Sequence, residues 1–259
     1  MRKLVLAAAF ALACAAASAA TTAEAQGYSR AAQRVLREAR AATGGAGWNL
    51  LRGWRETGHM GGLAYQAWLD PLRYGLRVEI EEPAGRRVHG YNGQGEWQVL
   101  PSGATLTVQD PAAVARTRAE AFFAVGGFLF PGRFDARGDY VGVRRLAGRA
   151  FDVVSVKPWG AAPRDLWFDR RSHLLARMVD HGGAKPRTIE VSDYRRVGPV
   201  LVAFSFTGEA PEPAAGLPQR RIESLVFTPA DRGLFSLPRP PAPGAAAGSA
   251  DAAGPDAGG

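Results

Sequence analysis

The chain has 259 residues, 46 % of them hydrophobic, with 32 basic against 24 acidic side chains for a formal charge of +8, and a single cysteine. One cysteine excludes an internal disulfide and any cysteine-built metal cluster, and no apolar run past the first residues approaches the ~20 needed for a membrane-spanning helix. The basic excess favours anionic membrane surfaces or acidic partners, with an attraction that fades with salt; its arginines are spread along the chain without a recognition motif, so nucleic acid is not an expected partner.

Arg2 and Lys3 form a short basic start, residues 4–13 an apolar run too short to span a bilayer, and small residues follow. This is the pattern of a secretory signal peptide. Ala17-Ser18-Ala19 and Ala23-Glu24-Ala25 both fit a cleavage site, and the second predicts a leader of residues 1–25 and a mature start at Gln26. Cys14 lies within that leader. The residues before it, Ala11-Leu12-Ala13, lack the leucine three positions upstream that a lipoprotein signal wants, so lipid anchoring at Cys14 is not expected. Export predicts a protein of the periplasm of a Gram-negative bacterium; losing Arg2, Lys3 and Glu24 removes a net +1 and leaves +7.

Residues 28–42 put Ala32, Val35, Leu36, Ala39 and Ala42 on one helical face and Arg30, Arg34, Arg37 and Arg40 elsewhere. That is an amphipathic helix, which Thr43-Gly44-Gly45 would end. Strands are expected at 51–58, 63–69 and 72–82. The third alternates most cleanly, with Leu72, Tyr74, Leu76, Val78 and Ile80 facing a core and Arg73, Arg77, Glu79 and Glu81 facing water. Two more, 88–91 and 96–100, flank Asn92-Gly93-Gln94-Gly95, whose Asn-Gly pair signals a hairpin.

Asp110-Pro111 opens a second helix, with Asp as N-cap and Pro at the first helical position, and helix formers continue over 112–125 to a stop at Gly126-Gly127. Phe128-Leu129-Phe130-Pro131 follows. With Phe122 and Phe123 nearby, this apolar loop suits either a movable lid or a plain packing plug. Strands resume at 140–146, 151–157, 165–169, 174–180, 187–195, 200–206 and 221–228. Residues 165–180, DLWFDRRSHLLARMVD, show the unit plainly: an apolar strand, a charged tight turn, a second apolar strand. Residues 238–259 are Pro, Ala, Gly and Asp with almost no apolar bulk, which predicts a disordered tail.

Three stretches carry a family likeness: VLREARAATGGAGWNLLRGWRETG at the start, GYNGQGEWQVLPSG in the middle, and DLWFDRRSHLLARM with SDYRRVGPVLVAFSF towards the end. In their strand, turn and strand units the chain resembles the LolA/LolB-like superfamily of periplasmic lipoprotein carriers, and also the exported LolA-like domains that precede aspartic proteases. The resemblance implies one domain over residues 26–237 of the α+β class, mainly antiparallel β. It would be an unclosed half-barrel of about ten to eleven strands, with the N-terminal helix and the second helix covering its concave side. It also implies an apolar cavity for acyl chains, hence a lipid or acylated protein as partner. No cofactor is implied.

A curved sheet too wide to fill with its own side chains must be plugged or leave a space. Candidate liners of that space are Trp54, Trp68, Tyr74, Leu76, Val78, Trp97, Phe122, Phe123, Phe128, Phe130, Trp167, Met178, Phe204 and Phe206; any one of them could equally be ordinary core. Catalytic signatures are absent: there is no H-E-x-x-H, no G-x-S-x-G and no phosphate loop with its lysine. Glu56-Thr57-Gly58 only looks like an aspartic protease triplet, and Glu56 is expected to be solvated. His59, His89, His173 and His181 are too scattered for a metal site, and Arg137-Gly138-Asp139 is expected to be turn chemistry. The expected activity is therefore binding, not catalysis: a carrier holding an amphiphile in the half-barrel, with arginines near the rim for its headgroup. The alternative is an interaction module for another envelope protein, with no cavity. A connected apolar space of about several hundred Å³ would mark the carrier.

Overall fold

The computed structural model describes residues 27–208 and 219–238. The expected leader lies outside them, as does the expected tail beyond residue 238. Helix α1 (Arg30–Ala42) opens with the Ser29 side chain accepting from the Ala32 amide, and it buries Ala32, Val35, Leu36 and Ala39. This is the stripe read from the sequence, with the arginines turned outward. Thr43 closes the helix, its hydroxyl donating to the Ala39 carbonyl at 2.9 Å.

The first meander is β1 (Trp54–Met60), β2 (Leu63–Asp70), β3 (Gly75–Glu82), β4 (Gly85–Tyr91), β5 (Glu96–Val99) and β6 (Thr105–Val108). Helix α2 (Pro111–Ala124) follows, capped by the Asp110 carboxylate and ended by Gly126 in the left-handed conformation. The second meander is β7 (Ala136–Leu146), β8 (Arg149–Pro158), β9 (Arg164–Asp169), β10 (Leu175–Asp180), β11 (Arg187–Val197), β12 (Val200–Gly208) and β13 (Arg220–Phe227).

The two meanders join where β13 pairs antiparallel with β1, Trp54 opposite Phe227. The result is one 13-stranded antiparallel sheet, β6-β5-β4-β3-β2-β1-β13-β12-β11-β10-β9-β8-β7, whose two edges do not meet. It is an unclosed half-barrel with helices on its concave side. The strand count exceeds the expected ten to eleven. One strand not foreseen is β6, whose residues are almost all exposed, so its Thr-Leu-Thr-Val carries no burial signal.

The outer face is less wet than its charges suggest. Tyr74 has φ 60° and belongs to the turn, so the alternation of the third strand starts only at Gly75. Glu79, expected in water, is buried; Arg77 Nη2 lies 2.7 Å away and Arg86 Nη1 3.3 Å away. The cover comes from the chain's far end: a 3₁₀ turn, Arg232–Phe235, lies over β3, and Trp97 Nε1 donates to the Phe235 carbonyl at 2.9 Å. Gly90 must be glycine here, because a Cβ would come within 2.1 Å of the Trp97 ring. Arg137, Gly138 and Asp139 lie inside β7 and not in a turn; the Ser29 amide donates to Gly138 there.

The β9–β10 turn is held by Asp169, whose Oδ1 accepts from the amides of Arg171 and Ser172 at 3.0 Å each, while Arg149 donates to Oδ2 at 2.8 Å. Burial would push this carboxyl up, but the hydrogen bonds outweigh it and bring it from 3.8 down to about 2. A depressed carboxylate stabilises the fold above its unfolded value and loses that contribution as pH falls through the folded one. Thermal melts should show Asp169→Asn less stable than wild type at neutral pH, with the difference closing between pH 3.8 and about 2.

Candidate functional site

The chain leaves the sheet at one edge, β6, and re-enters it at the other, β7, so α2 has to cross the open side of the half-barrel. Side chains tie it to both flanks. On one flank Thr117 donates to Glu96 Oε2 on β5 at 2.6 Å, and Arg118 Nε donates to the Tyr91 hydroxyl on β4 at 3.1 Å. On the other, Glu120 is paired with Arg164 of β9, which also donates to Asp180 of β10 at 3.1 Å. The Arg164 guanidinium sits 4.4 Å from the Phe123 ring centroid, a cation over an aromatic face.

Two of the carboxylates in these ties, Glu96 and Asp180, are held below the usual carboxylate range. Burial raises Glu96, but hydrogen bonds from His89, Thr117 and Gln98 outweigh it and hold it below the usual range. Asp180 is likewise raised by burial and brought down further by Arg164, the Gly182 amide and Arg187.

Beneath the C-terminal end of α2 lies an apolar cavity of about 100 Å³. Its roof is Phe123 to Gly126 with Phe128 and Leu129, its floor the concave side of β9 to β13 and β1, and Ala39, Thr43 and Trp48 complete the lining. Of the sequence candidates, Trp54, Phe123, Phe128, Met178 and Phe206 line it. Tyr74, Leu76, Val78, Phe122 and Phe204 belong to the surrounding core, where Tyr74 packs on Phe134 at 3.8 Å between ring centroids. Phe130 is buried with Arg40 and Arg133 over its ring.

Trp68, Trp97 and Trp167 lie on the opposite face. Their chain neighbours Ala67 and Leu69, Glu96, and Leu166 and Phe168 point to the helices, and alternation sends the tryptophans outward. Arg55 and Arg77 cover Trp68, each 5.7 Å from its ring centroid, and Arg177 covers Trp167 at 5.5 Å.

Sequence inspection missed several lining residues, among them Thr43, Trp48, Val191, Tyr194, Leu201, Val202, Ala203, Leu225 and Phe227. It also missed the charged pair in the wall. Glu56, expected to be solvated, is 2 % exposed; Arg220 Nη1 lies 3.0 Å from its Oε1, and the Tyr65 hydroxyl donates to the same oxygen at 3.0 Å. Burial, with Glu56 beside it, pushes the Tyr65 phenol up, so it remains a donor. The histidines stand apart, each beside its own carboxylate: His59 by Glu223, His89 by Glu96, His173 by Glu38 and His181 by Asp165. Among the described residues no three His, Cys, Asp or Glu side chains are grouped to hold a metal, and no helix is long and apolar enough to cross a membrane.

No protein-family model matches the chain, and no curated protein matches its sequence. Solved structures do. A LolA-superfamily protein of Nitrosomonas europaea superposes with TM-score 0.53, covering 80 % of this chain and 97 % of its own, at 11 % identity. The fold is that of the LolA superfamily. A DUF1329-family protein of Desulfovibrio piger superposes with TM-score 0.52 over 80 % of this chain and 96 % of its own, at 10 % identity. An outer membrane lipoprotein-sorting protein domain of Vibrio parahaemolyticus gives 0.49 over 78 % and 95 %, at 12 % identity. At such identities the likeness is one of fold: a LolA-like half-barrel with its helices in the concavity.

The ties across α2 make a direct prediction. Thr117→Val with Glu120→Gln removes a polar contact at each flank and should cost about 1–3 kcal/mol. Hydrogen–deuterium exchange should then speed up in the α2 amides while those of the β1–β13 pair keep their rates; unchanged α2 exchange would show that apolar packing alone holds the helix.

Proposed function

We propose that this chain is an exported binding protein of the periplasm that carries a lipid, a lipoprotein acyl chain or another amphiphile in its half-barrel. The observation that carries the proposal is the apolar cavity beneath α2, lined by Phe123, Phe128, Met178 and Phe206 and roofed by a helix held to either flank by a few side chains. The likeness of its fold to that of the LolA-superfamily protein of Nitrosomonas europaea supports it. No chemical step is assigned: the buried charges near the cavity are spent on one another, and the proposed role is to bind and release.

The volume sets a condition. At about 100 Å³ the cavity falls short of the several hundred that would mark a carrier: it holds a few methylene groups and not a whole acyl chain, so loading requires the roof to move. Phe128 and Phe130, the loop that suits either lid or plug, are packed as a plug in this state. The small volume also favours the second reading, an envelope interaction module that never opens.

Native mass spectrometry with lipid extraction, on protein purified from its native host, separates the two. The carrier reading expects an acyl species at defined stoichiometry, and uptake of a fluorescent fatty acid that Ala203→Phe, which fills the floor of the cavity, abolishes while thermal stability changes by less than about 2 kcal/mol. A clean apo mass with no uptake leaves the interaction module.

A further inference from the structure

The ladder between β10 and β11 is incomplete. Pairing runs from Asp180–Arg187 to Arg177–Glu190 and ends, although β10 begins two residues earlier at Leu175 and β11 continues to Val197. A bulge between Leu175 and Arg177 bends β10 at this point. Tyr194 spans the split, its hydroxyl donating to the Leu175 carbonyl at 2.8 Å. By alternation from Glu190 and Ser192 it belongs on the outer face. Asp193, at φ 55°, interrupts that alternation, and Tyr194 packs on the core instead, opposite Ala203. Aspartate is one of the few residues with a Cβ that take this conformation, and Arg195 holds its carboxylate at 2.7 Å.

A second space of about 460 Å³ opens on the outer side of the split. Leu146, Phe151, Trp167 and Leu174 supply its apolar lining, and Arg149, Ser172 and Ser192 stand exposed beside them. Leu175, Val191 and Tyr194 line both this cleft and the cavity beneath α2, so side chains and not a strand ladder separate the two.

We propose that the two spaces are one binding site for a single acyl chain, which passes tail first through the split between β10 and β11 and leaves its polar head in the outer cleft. This rests on the carrier reading above and gives it a route and an orientation. About 100 Å³ alone falls short of a ligand site, whereas a further 460 Å³ brings the space within the roughly 300–1,000 Å³ of such sites. A chain lodged wholly beneath α2 requires the roof to move against the ties of Thr117, Arg118 and Glu120. A chain that spans both spaces has only to displace Tyr194 from Leu175. Polarity sets the direction, since the inner space is apolar and hydroxyls and charges stand at the outer one. Those charges are paired, Arg149 with Asp169 and Arg177 with Glu190, so the head is chosen for being polar and not for its sign.

Brominated palmitic acids test the assignment, because bromine quenches tryptophan fluorescence only at close range. Palmitic acid brominated next to its carboxyl should quench Trp167 in the outer cleft, a component that Trp167→Phe removes. Palmitic acid brominated at the far end of the chain should quench Trp48 and Trp54 equally in wild type and Trp167→Phe, which also shows that the variant folds and binds. Tyr194→Phe, which deletes the tie across the split, should speed uptake about fivefold and more than Thr117→Val with Glu120→Gln does. Quenching by the carboxyl-end bromide that Trp167→Phe leaves unaltered, or uptake that Tyr194→Phe speeds less than the α2 pair does, overturns the split site and leaves the carrier standing with α2 as the part that moves. Failure of the wild type to take up either acid overturns both.

Discussion

The connection between the two free edges of the sheet constrains the rest of the molecule. Because β13 pairs with β1 in the middle, β6 and β7 are left at opposite edges, and the chain passes from one to the other through α2 and the Phe128 loop. A helix with that task has to lie across the concavity. Its apolar side faces the core through Ala121, Phe122 and Phe123, while Thr117, Arg118 and Glu120 reach the flanks. The cavity is what remains where the C-terminal end of α2 and the 3₁₀ turn Gly127–Leu129 fail to fill the curve of β9 to β13 and β1.

The arginine excess has structural roles that net charge conceals. Arg77 and Arg177 lie over tryptophan rings on the outer face, Arg164 over Phe123 and Arg220 over Phe206 inside. A planar, weakly hydrated guanidinium can cover an aromatic face and pair with a carboxylate at once, which an ammonium does less well. Glu79, Asp180 and Glu56 are carboxylates buried with such arginines. These arginines are therefore built into the two faces of the sheet, each between an aromatic ring and a carboxylate.

Local patterns made the fold legible. The Ser29 cap, the Asp110-Pro111 opening, the Gly126 stop and the Asn92 turn all act over a few residues, and the structure shows each of them. The candidate site was legible only in part. Parity within a strand would have sent Trp68 and Trp167 away from Ala67, Leu69, Leu166 and Phe168, but a list of aromatics ignores parity. The Glu56–Arg220 pair joins residues from the two ends of the chain, and nothing near Glu56 in sequence distinguishes it from a solvated glutamate. Likewise the cover that buries Glu79 and Trp97 comes from Arg232–Phe235, beyond the last strand. Alternation reports which residues share a face; it does not report what lies on top of that face.

The central β1–β13 seam also dictates an order of assembly. Six strands of the first meander and seven of the second can pair with their sequence neighbours as soon as they exist, but β1 finds its partner only when residues 220–227 have emerged. Until then Trp54, Glu56 and Met60 line an unsatisfied strand border, the kind of edge on which chains associate wrongly. Contacts of such long sequence separation form slowly. The last strand is the stitch that converts two meanders into one vessel, so loss of β13 should open the first meander as surely as it shortens the second.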